Sequence, residues 1–288
     1  MKPPTFRYLR PESVTETLSI LTTEEDAKIL AGGQSLVPAM NFRLARPSVL
    51  IDINHLSELD LLEVEDGRLR IGALVRHSRL EDPVIDDPLG DLLTSASHYV
   101  GHYPIRVRGT FGGSISHADP AAEWCLIART VDAELVAASE RGTRTIAASD
   151  FFQTVFTTDL AEDELLTEVR MPVLGEHARV GFSEFSRRAG DFALVAVAVV
   201  LDVEDEIVRS ARIGVAGLGG RPERAEEAAS LLTGRSSSRE AFEEAANVAS
   251  QELNPSGDIH GSPEYRRNLI RVLTKRALEQ TLGGEQPQ

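Results

Sequence analysis

The chain has 288 residues, 30 Lys plus Arg and 45 Asp plus Glu, for a formal net charge of −15. At roughly 150 residues per domain this length suggests two domains, and 42% hydrophobic with 26% charged residues is an ordinary soluble composition that buries a core without staples. The acidic balance argues against nucleic acid, no apolar run approaches the ~18 residues of a membrane span, and the single cysteine, Cys125, excludes a disulfide framework or an iron–sulfur cluster held by this chain alone.

The N-terminus, MKPPTFRYLRPES, has no apolar signal core, so a cytoplasmic chain is expected. Ser13-Val-Thr-Glu16 reads as a capping box opening a short helix with Val14, Leu18 and Leu21 on one face. Residues 28–31 form a strand leading into Gly32-Gly33, 38–44 a short helix, and 49–53 a second strand. Segments 61–64 and 69–73 around Asp66-Gly67 make a hairpin, because Asp-Gly suits a tight primed turn. Helical patterns over 77–82 and 89–100 precede a glycine-rich loop at 109–113. Asp119-Pro120 predicts a helix start, with Asp as N-cap and Pro at the first helical position, running through Trp124 to about Arg129.

Strands at 134–138 and 143–147 flank a Glu-Arg-Gly turn, and a strand over 165–171 ends at Pro172. The segment 174–177 is the expected junction between a domain over 1–176 and another over 177–288. Beyond it, strands at 180–187, 193–203 and 207–218 are followed by helices near 222–233, 238–252 and 262–282. Strands then helices predict an α+β unit with helices packed on an antiparallel sheet. The tail GGEQPQ is expected to be disordered.

Seven histidines show no HExxH or paired ligand spacing, so redox chemistry here would need an organic cofactor. Two glycine turns stand out, Ala31-Gly-Gly-Gln-Ser35 and Thr110-Phe-Gly-Gly-Ser114. Each offers unhindered amides beside a hydroxyl, so a phosphate can approach the main chain; each also reads, taken singly, as a simple turn. No GxGxxG opens a βαβ unit, no GxxxxGK[ST] is present, and no GxSxG elbow supports a hydrolase. Cys125, beside Trp124 in an apolar stretch, reads as a buried, inert thiol.

Taken together, AGGQSLVPAMNFRLARPSVLIDIN (31–54), IRVRGTFGGSISHADPAAEW (105–124), RRAGDFA (187–193) and DIHGSPEYRR (258–267) resemble, in order and spacing, the FAD-binding medium subunit of molybdenum hydroxylases. Aerobic carbon monoxide dehydrogenase and the xanthine dehydrogenase family typify it. The resemblance implies a two-part FAD domain of the vanillyl-alcohol-oxidase (PCMH) type, then a smaller antiparallel-sheet-plus-helices domain. It places the FAD pyrophosphate at Ala31, Gly32, Gly33, Gln34, Ser35 and Leu36 and at Thr110, Gly112, Gly113 and Ser114. It puts Glu123 at the flavin polyol, Leu166 at a backbone contact near the ring, Val100 at an apolar contact, and Phe192 near the isoalloxazine.

His117 takes a structural or cofactor-edge role in this reading, and Asp119 either shares that segment or caps a helix. Relatives often have His at Gln34, Asn at Ser114, Tyr at Phe192 and Lys at Ser186; Arg187 or Arg188 then supplies charge or lies on the surface. The implied partners are a small subunit with 2Fe-2S clusters and a large subunit with a molybdenum cofactor, in a dimer of heterotrimers. Electrons would leave to quinone, NAD or another acceptor, in the cytoplasm or at the inner face of the membrane through the complex. The alternatives are a medium subunit of a xanthine, aldehyde or N-heterocycle dehydrogenase, a stand-alone FAD oxidoreductase of the same fold, and a scaffold that has lost its flavin.

Overall fold

The computed structural model describes residues 2–282, so the tail lies outside the described residues. β1 (Arg7–Leu9), α1 (Val14–Thr23), β2 (Ala27–Leu30), α2 (Leu36–Asn41) and β3 (Val49–Asp52) open the chain; the strands form a parallel sheet in the order β1-β3-β2. Ser13 caps α1 by accepting from the Glu16 amide at 3.1 Å. The Glu16 carboxylate reaches back to the amide of Glu12 at 2.7 Å, one residue beyond the usual box.

β4 (Leu62–Glu65) and β5 (Arg68–Gly72) are the expected hairpin. Asp66 and Gly67 sit at φ +48° and +71°, the two left-handed residues that a type I′ turn requires. α3 (Pro88–Ser97), α4 (Tyr103–Arg106), α5 (Phe111–His117) and α6 (Glu123–Thr130) follow, then β6 (Glu134–Ser139), β7 (Gly142–Ala147) and α7 (Ala148–Phe151). A small hairpin, β8 (Phe152–Thr154) with β9 (Thr157–Thr158), leads to β10 (Leu165–Pro172). The antiparallel sheet runs β4-β5-β10-β6-β7, so the last strand of the first half is also its middle one.

β11 (Ala178–Phe185), β12 (Val195–Glu204), β13 (Ile207–Ala216) and β14 (Glu223–Arg224) form an antiparallel sheet in chain order. α8 (Glu226–Leu232), α9 (Arg239–Glu252) and α10 (Pro263–Gln280) complete the described chain. The α+β class stands. The first of these helices begins later than its apolar pattern suggests, because Glu223 and Arg224 pair with Val215 and Gly214 instead.

β12 accounts for the longest apolar run, 192–201. Ala196, Ala198 and Val200 join Trp124, Leu126 and Phe182 in one cluster, while Val195, Val197, Val199 and Leu201 join Phe242, Ile270 and Leu273 in another. Side chains alternate across a strand, so a strand covered on both faces reads as continuous hydrophobicity. α3 and α6 pack on one face of this sheet, α8 and α10 on the other. The first cluster runs from Leu69 to Ala216 and therefore crosses the 174–177 segment.

The stretch 109–123 departs from its sequence reading. The second glycine segment is the first turn of α5 rather than a loop, with Thr110 as N-cap. Asp119 does not start a helix: its carboxylate accepts from the Ala121 amide at 2.9 Å, closing a local turn, and α6 begins only at Glu123. An Asp-Pro pair suits an Asx turn as well as a helix cap, and Ala118 at φ +50° sets the chain direction for the former.

Candidate functional site

The first glycine turn continues from β2 into α2. Gly33 takes φ +71°, a conformation glycine adopts at little cost. Gln34 Nε2 donates to the Gly32 carbonyl at 2.9 Å, and Asn54 Nδ2 donates to the Ala31 and Leu30 carbonyls at 2.7 and 3.2 Å. Among the described residues, the amides of Gly32, Gly33, Gln34 and Ser35 donate to no protein acceptor. Buried or half-buried amides are normally paired, so a run of free ones marks a surface prepared for an acceptor.

Asn54 is itself held by Asp52 Oδ1, to which its backbone amide donates at 2.9 Å and its carboxamide at 2.7 Å. The other Asp52 oxygen accepts from the Tyr8 hydroxyl. Burial pushes this carboxyl upward, but the hydrogen bonds from Tyr8 and Asn54 outweigh it and hold it below the usual range.

The second segment is pinned from beneath. Thr110 Oγ1 accepts from the Gly113 amide at 3.1 Å, and Gly112 lies so close to Ala73 that a Cβ there would stand 2.6 Å from the alanine Cβ. His77 supports Gly109: its amide donates to the Gly109 carbonyl at 3.2 Å, and its ring lies under the Gly109 Cα. Trp124 Nε1 donates to His77 Nδ1 at 2.9 Å. Burial, reinforced by the charges of Arg76 and Arg106, lowers this imidazole to about 4, so it is neutral and free to accept.

The two segments touch. A Cβ on Gly32 would lie 2.6 Å from the Gly109 Cα and closer still to the Arg108 carbonyl oxygen. Arg76 ties them from the side, donating through Nη1 to the Arg108 carbonyl and through Nη2 to Asn54 Oδ1 at 2.9 Å. Beside this contact opens a cleft of about 380 Å³, lined by Ala31, Gly32, Gly33, Gln34, Asp52, Asn54 and Arg108 among others. Asn54, Arg76, His77 and Arg108 were not among the residues singled out from the sequence. Their roles arise only when distant segments meet.

The remaining candidates are more dispersed. Leu36 is the first residue of α2, and Ser114 lies in α5 with its amide bonded to the Thr110 carbonyl at 3.0 Å. His117 ends α5 and stacks on Phe156, ring centres 4.7 Å apart. Val100 and Leu166 are core residues, 7% and 3% exposed, whereas Phe192 is 63% exposed. Gly190, in the RRAGDFA loop, packs against the His102 ring, which seats that loop over the segment preceding the second glycines. Arg187 Nη1 lies 3.2 Å from His260 Nδ1, joining the third and fourth motifs. Cys125 is buried, and burial first, then Asp119 and Glu123, push its thiol well up.

Glu123 is 8% exposed at the start of α6, and Glu184 on β11 has both carboxylate oxygens buried without a hydrogen-bond partner. Burial pushes both groups upward; the Glu123 charge adds to the rise at Glu184, and that of Asp119 to the rise at Glu123. A native carboxyl that keeps its proton above the pH at which the unfolded one loses it binds more protons when folded. Stability therefore falls as pH rises through that window. Glu184→Gln, which keeps the shape without the charge, is expected to raise stability by about 1–3 kcal/mol at about pH 8 and to add little at about pH 4. Thermal unfolding at the two pH values checks this; an equal effect at both would refute it.

The family model described as the FAD binding domain in molybdopterin dehydrogenase matches residues 4–174, and that of the CO dehydrogenase flavoprotein C-terminal domain matches 181–281. The nicotine 6-hydroxylase medium subunit of Paenarthrobacter nicotinovorans is 39% identical over 96% of this chain and 98% of its own. The carbon monoxide dehydrogenase medium chain of Hydrogenophaga pseudoflava is 34% identical over 96% and 97%. The solved structure of quinoline 2-oxidoreductase from Pseudomonas putida 86 superposes with a TM-score of 0.93 at 36% identity, covering 98% of both chains. The chain belongs to the family of FAD-binding medium subunits of molybdenum hydroxylases. It is a flavoprotein chain of an oxidoreductase, and the free amides of the first glycine segment suit a diphosphate. The second segment does not offer the free amides expected of it: those of Phe111, Gly112, Gly113 and Ser114 already donate to the Val75 carbonyl, the Ala73 carbonyl, Thr110 Oγ1 and the Thr110 carbonyl, the bonds that build the start of α5 and dock it on Ala73 and Val75. No helix among the described residues is long and apolar enough to cross a membrane.

Proposed function

We propose that this chain is the flavin relay of a heterotrimeric molybdenum hydroxylase built like aerobic carbon monoxide dehydrogenase. Residues 1–176 hold FAD and 177–288 form the second domain. A small subunit delivers electrons from 2Fe-2S clusters, a large subunit oxidises substrate at its molybdenum cofactor, and quinone, NAD or another acceptor takes the electrons from this chain. The complex is a dimer of heterotrimers. Bound FAD supplies the reversible electron-carrying chemistry.

The chain's own residues bind and orient. The amides of Gly32–Ser35, with the Thr110–Ser114 segment beside them, would hold the pyrophosphate; Glu123 would bind at the flavin polyol, and Phe192 and the main chain at Leu166 at the ring. The observation that carries this reading is the contact of the two glycine segments at Gly32, next to four amides with no protein acceptor.

Substrate binds another chain, and the identities bear on it: 39% and 36% to proteins named for nicotine and quinoline, against 34% to one named for carbon monoxide. They favour an N-heterocycle hydroxylase as the second reading. Purifying the native complex tests both. Flavin, iron and molybdenum are expected together, with turnover of carbon monoxide or of a pyridine- or quinoline-type heterocycle. Full activity of this chain alone, without iron or molybdenum, would sink the proposal.

A further inference from the structure

The cleft beside the glycine contact holds one group that the loop amides do not explain. Among its lining residues Arg108 is the only cation and Asp52 the only anion. Asp52 is already engaged, accepting from the Tyr8 hydroxyl and from the backbone and side chain of Asn54. Arg108 is fixed only through its main chain. Its amide donates to the Ile105 carbonyl at 3.2 Å, its carbonyl accepts from Arg76 Nη1, and its backbone abuts Gly32.

The Arg108 guanidinium is exposed and makes no hydrogen bond or ion pair among the described residues. Arg106, two positions earlier, differs: its Nε donates to Glu81 at 2.6 Å. Arg76, the other guanidinium at this junction, is occupied by the Arg108 carbonyl and by Asn54. An immobilised backbone therefore presents an unengaged planar cation beside four acceptor-less amides, in a chain of net charge −15 where, among the described residues, most arginines have carboxylate partners.

We propose that Arg108 is a diphosphate-binding residue, its guanidinium pairing with the FAD pyrophosphate that the Gly32–Ser35 amides also meet. Arg76 is its positioning residue, holding the Arg108 carbonyl in place. The inference rests on the FAD reading and adds a side-chain charge to a site otherwise made of backbone donors. Two parallel N–H groups on a planar fork match a phosphate's oxygens, which a point-charge ammonium does not reproduce. A residue this exposed contributes by long-range attraction as well, so the contact should be sensitive to salt.

Deflavinated full-length protein titrated with FAD and, separately, with riboflavin, which has no phosphate, tests the assignment through flavin fluorescence. Arg108→Gln is expected to weaken FAD binding by about 10- to 100-fold, to leave riboflavin within about threefold, and to flatten the salt dependence of FAD affinity. Arg108→Lys should recover part of the loss. FAD binding by Arg108→Gln within about threefold of the parent, or an equal loss for FAD and riboflavin, would overturn the proposal. The unsubstituted protein gives an independent reading, since its FAD affinity must fall with ionic strength while its riboflavin affinity does not. Failure of that protein to take up FAD at all would instead overturn the flavin site itself.

Discussion

Gly32→Ala is expected to strip the protein of its flavin while leaving most of the fold standing. The added Cβ would lie 2.6 Å from the Gly109 Cα and nearer to the Arg108 carbonyl oxygen. Both obstacles are backbone, so no side-chain rotation relieves the clash. Nor is the second segment free to retreat: Arg76 holds the Arg108 carbonyl, the Gly109 amide donates to Ile105 at 2.6 Å, and the His77 ring occupies the space behind Gly109. The first turn must move instead, at an overpacking cost of about 2–4 kcal/mol. Its free amides are then displaced, and FAD affinity should fall by at least about 100-fold, since each 1.4 kcal/mol is tenfold.

The ratio of flavin to protein after purification, followed by FAD titration, measures this effect. Gly67→Ala is the control. Gly67, unlike Gly32, has a positive φ, but a Cβ there meets nothing within 4 Å and the hairpin lies away from the cleft lining. It should cost about 1 kcal/mol of stability with flavin content unchanged. Equal flavin loss in both variants, or none in Gly32→Ala, would remove the glycine contact from the binding site.

What the sequence made legible here is what neighbouring residues determine. Asp66-Gly67 announces its turn because both left-handed positions lie inside the dipeptide, and Ser13 announces α1 because its acceptor and donor are three residues apart. The glycine segments were visible as two separate turns, and motif resemblance joined them. Their physical join was not visible. It depends on Asn54, Arg76 and His77, three ordinary polar residues whose partners lie 22 to 47 positions away. Asp119 was misplaced for the opposite reason, since one dipeptide suits two local structures and only the left-handed Ala118 selects between them. The approach of Glu123 to Glu184 was likewise hidden, because the two lie on elements brought together only when α6 packs against the second sheet.

Arg266→Met should cost about 3 kcal/mol of stability and leave FAD binding nearly intact, the converse of Gly32→Ala. Arg266, inside the DIHGSPEYRR motif, has a side chain only 8% exposed. Its Nη1 donates to the carbonyls of Leu194 at 2.5 Å and Gly217 at 2.8 Å, one just before β12 and the other just after β13. Its Nη2 donates to Asp258 at 2.6 Å, and Asp258 in turn accepts from the amides of His260 and Gly261 at 2.8 and 3.0 Å. One guanidinium thus joins the ends of two central strands to the loop that carries His260. Methionine fills the volume but leaves two buried carbonyls short of a donor and Asp258 without its cation, and unmade buried hydrogen bonds cost about 1–3 kcal/mol each. Lysine restores charge without the fork, so Arg266→Lys should fall between. The cleft at Gly32 shares no residue with this clamp, so FAD affinity should stay within about threefold once the protein is folded. Chemical denaturation with and without saturating FAD separates the two effects: a Met variant as stable as its parent would show that the clamp is idle, whereas one that folds normally but cannot hold flavin would place Arg266 in the cofactor site.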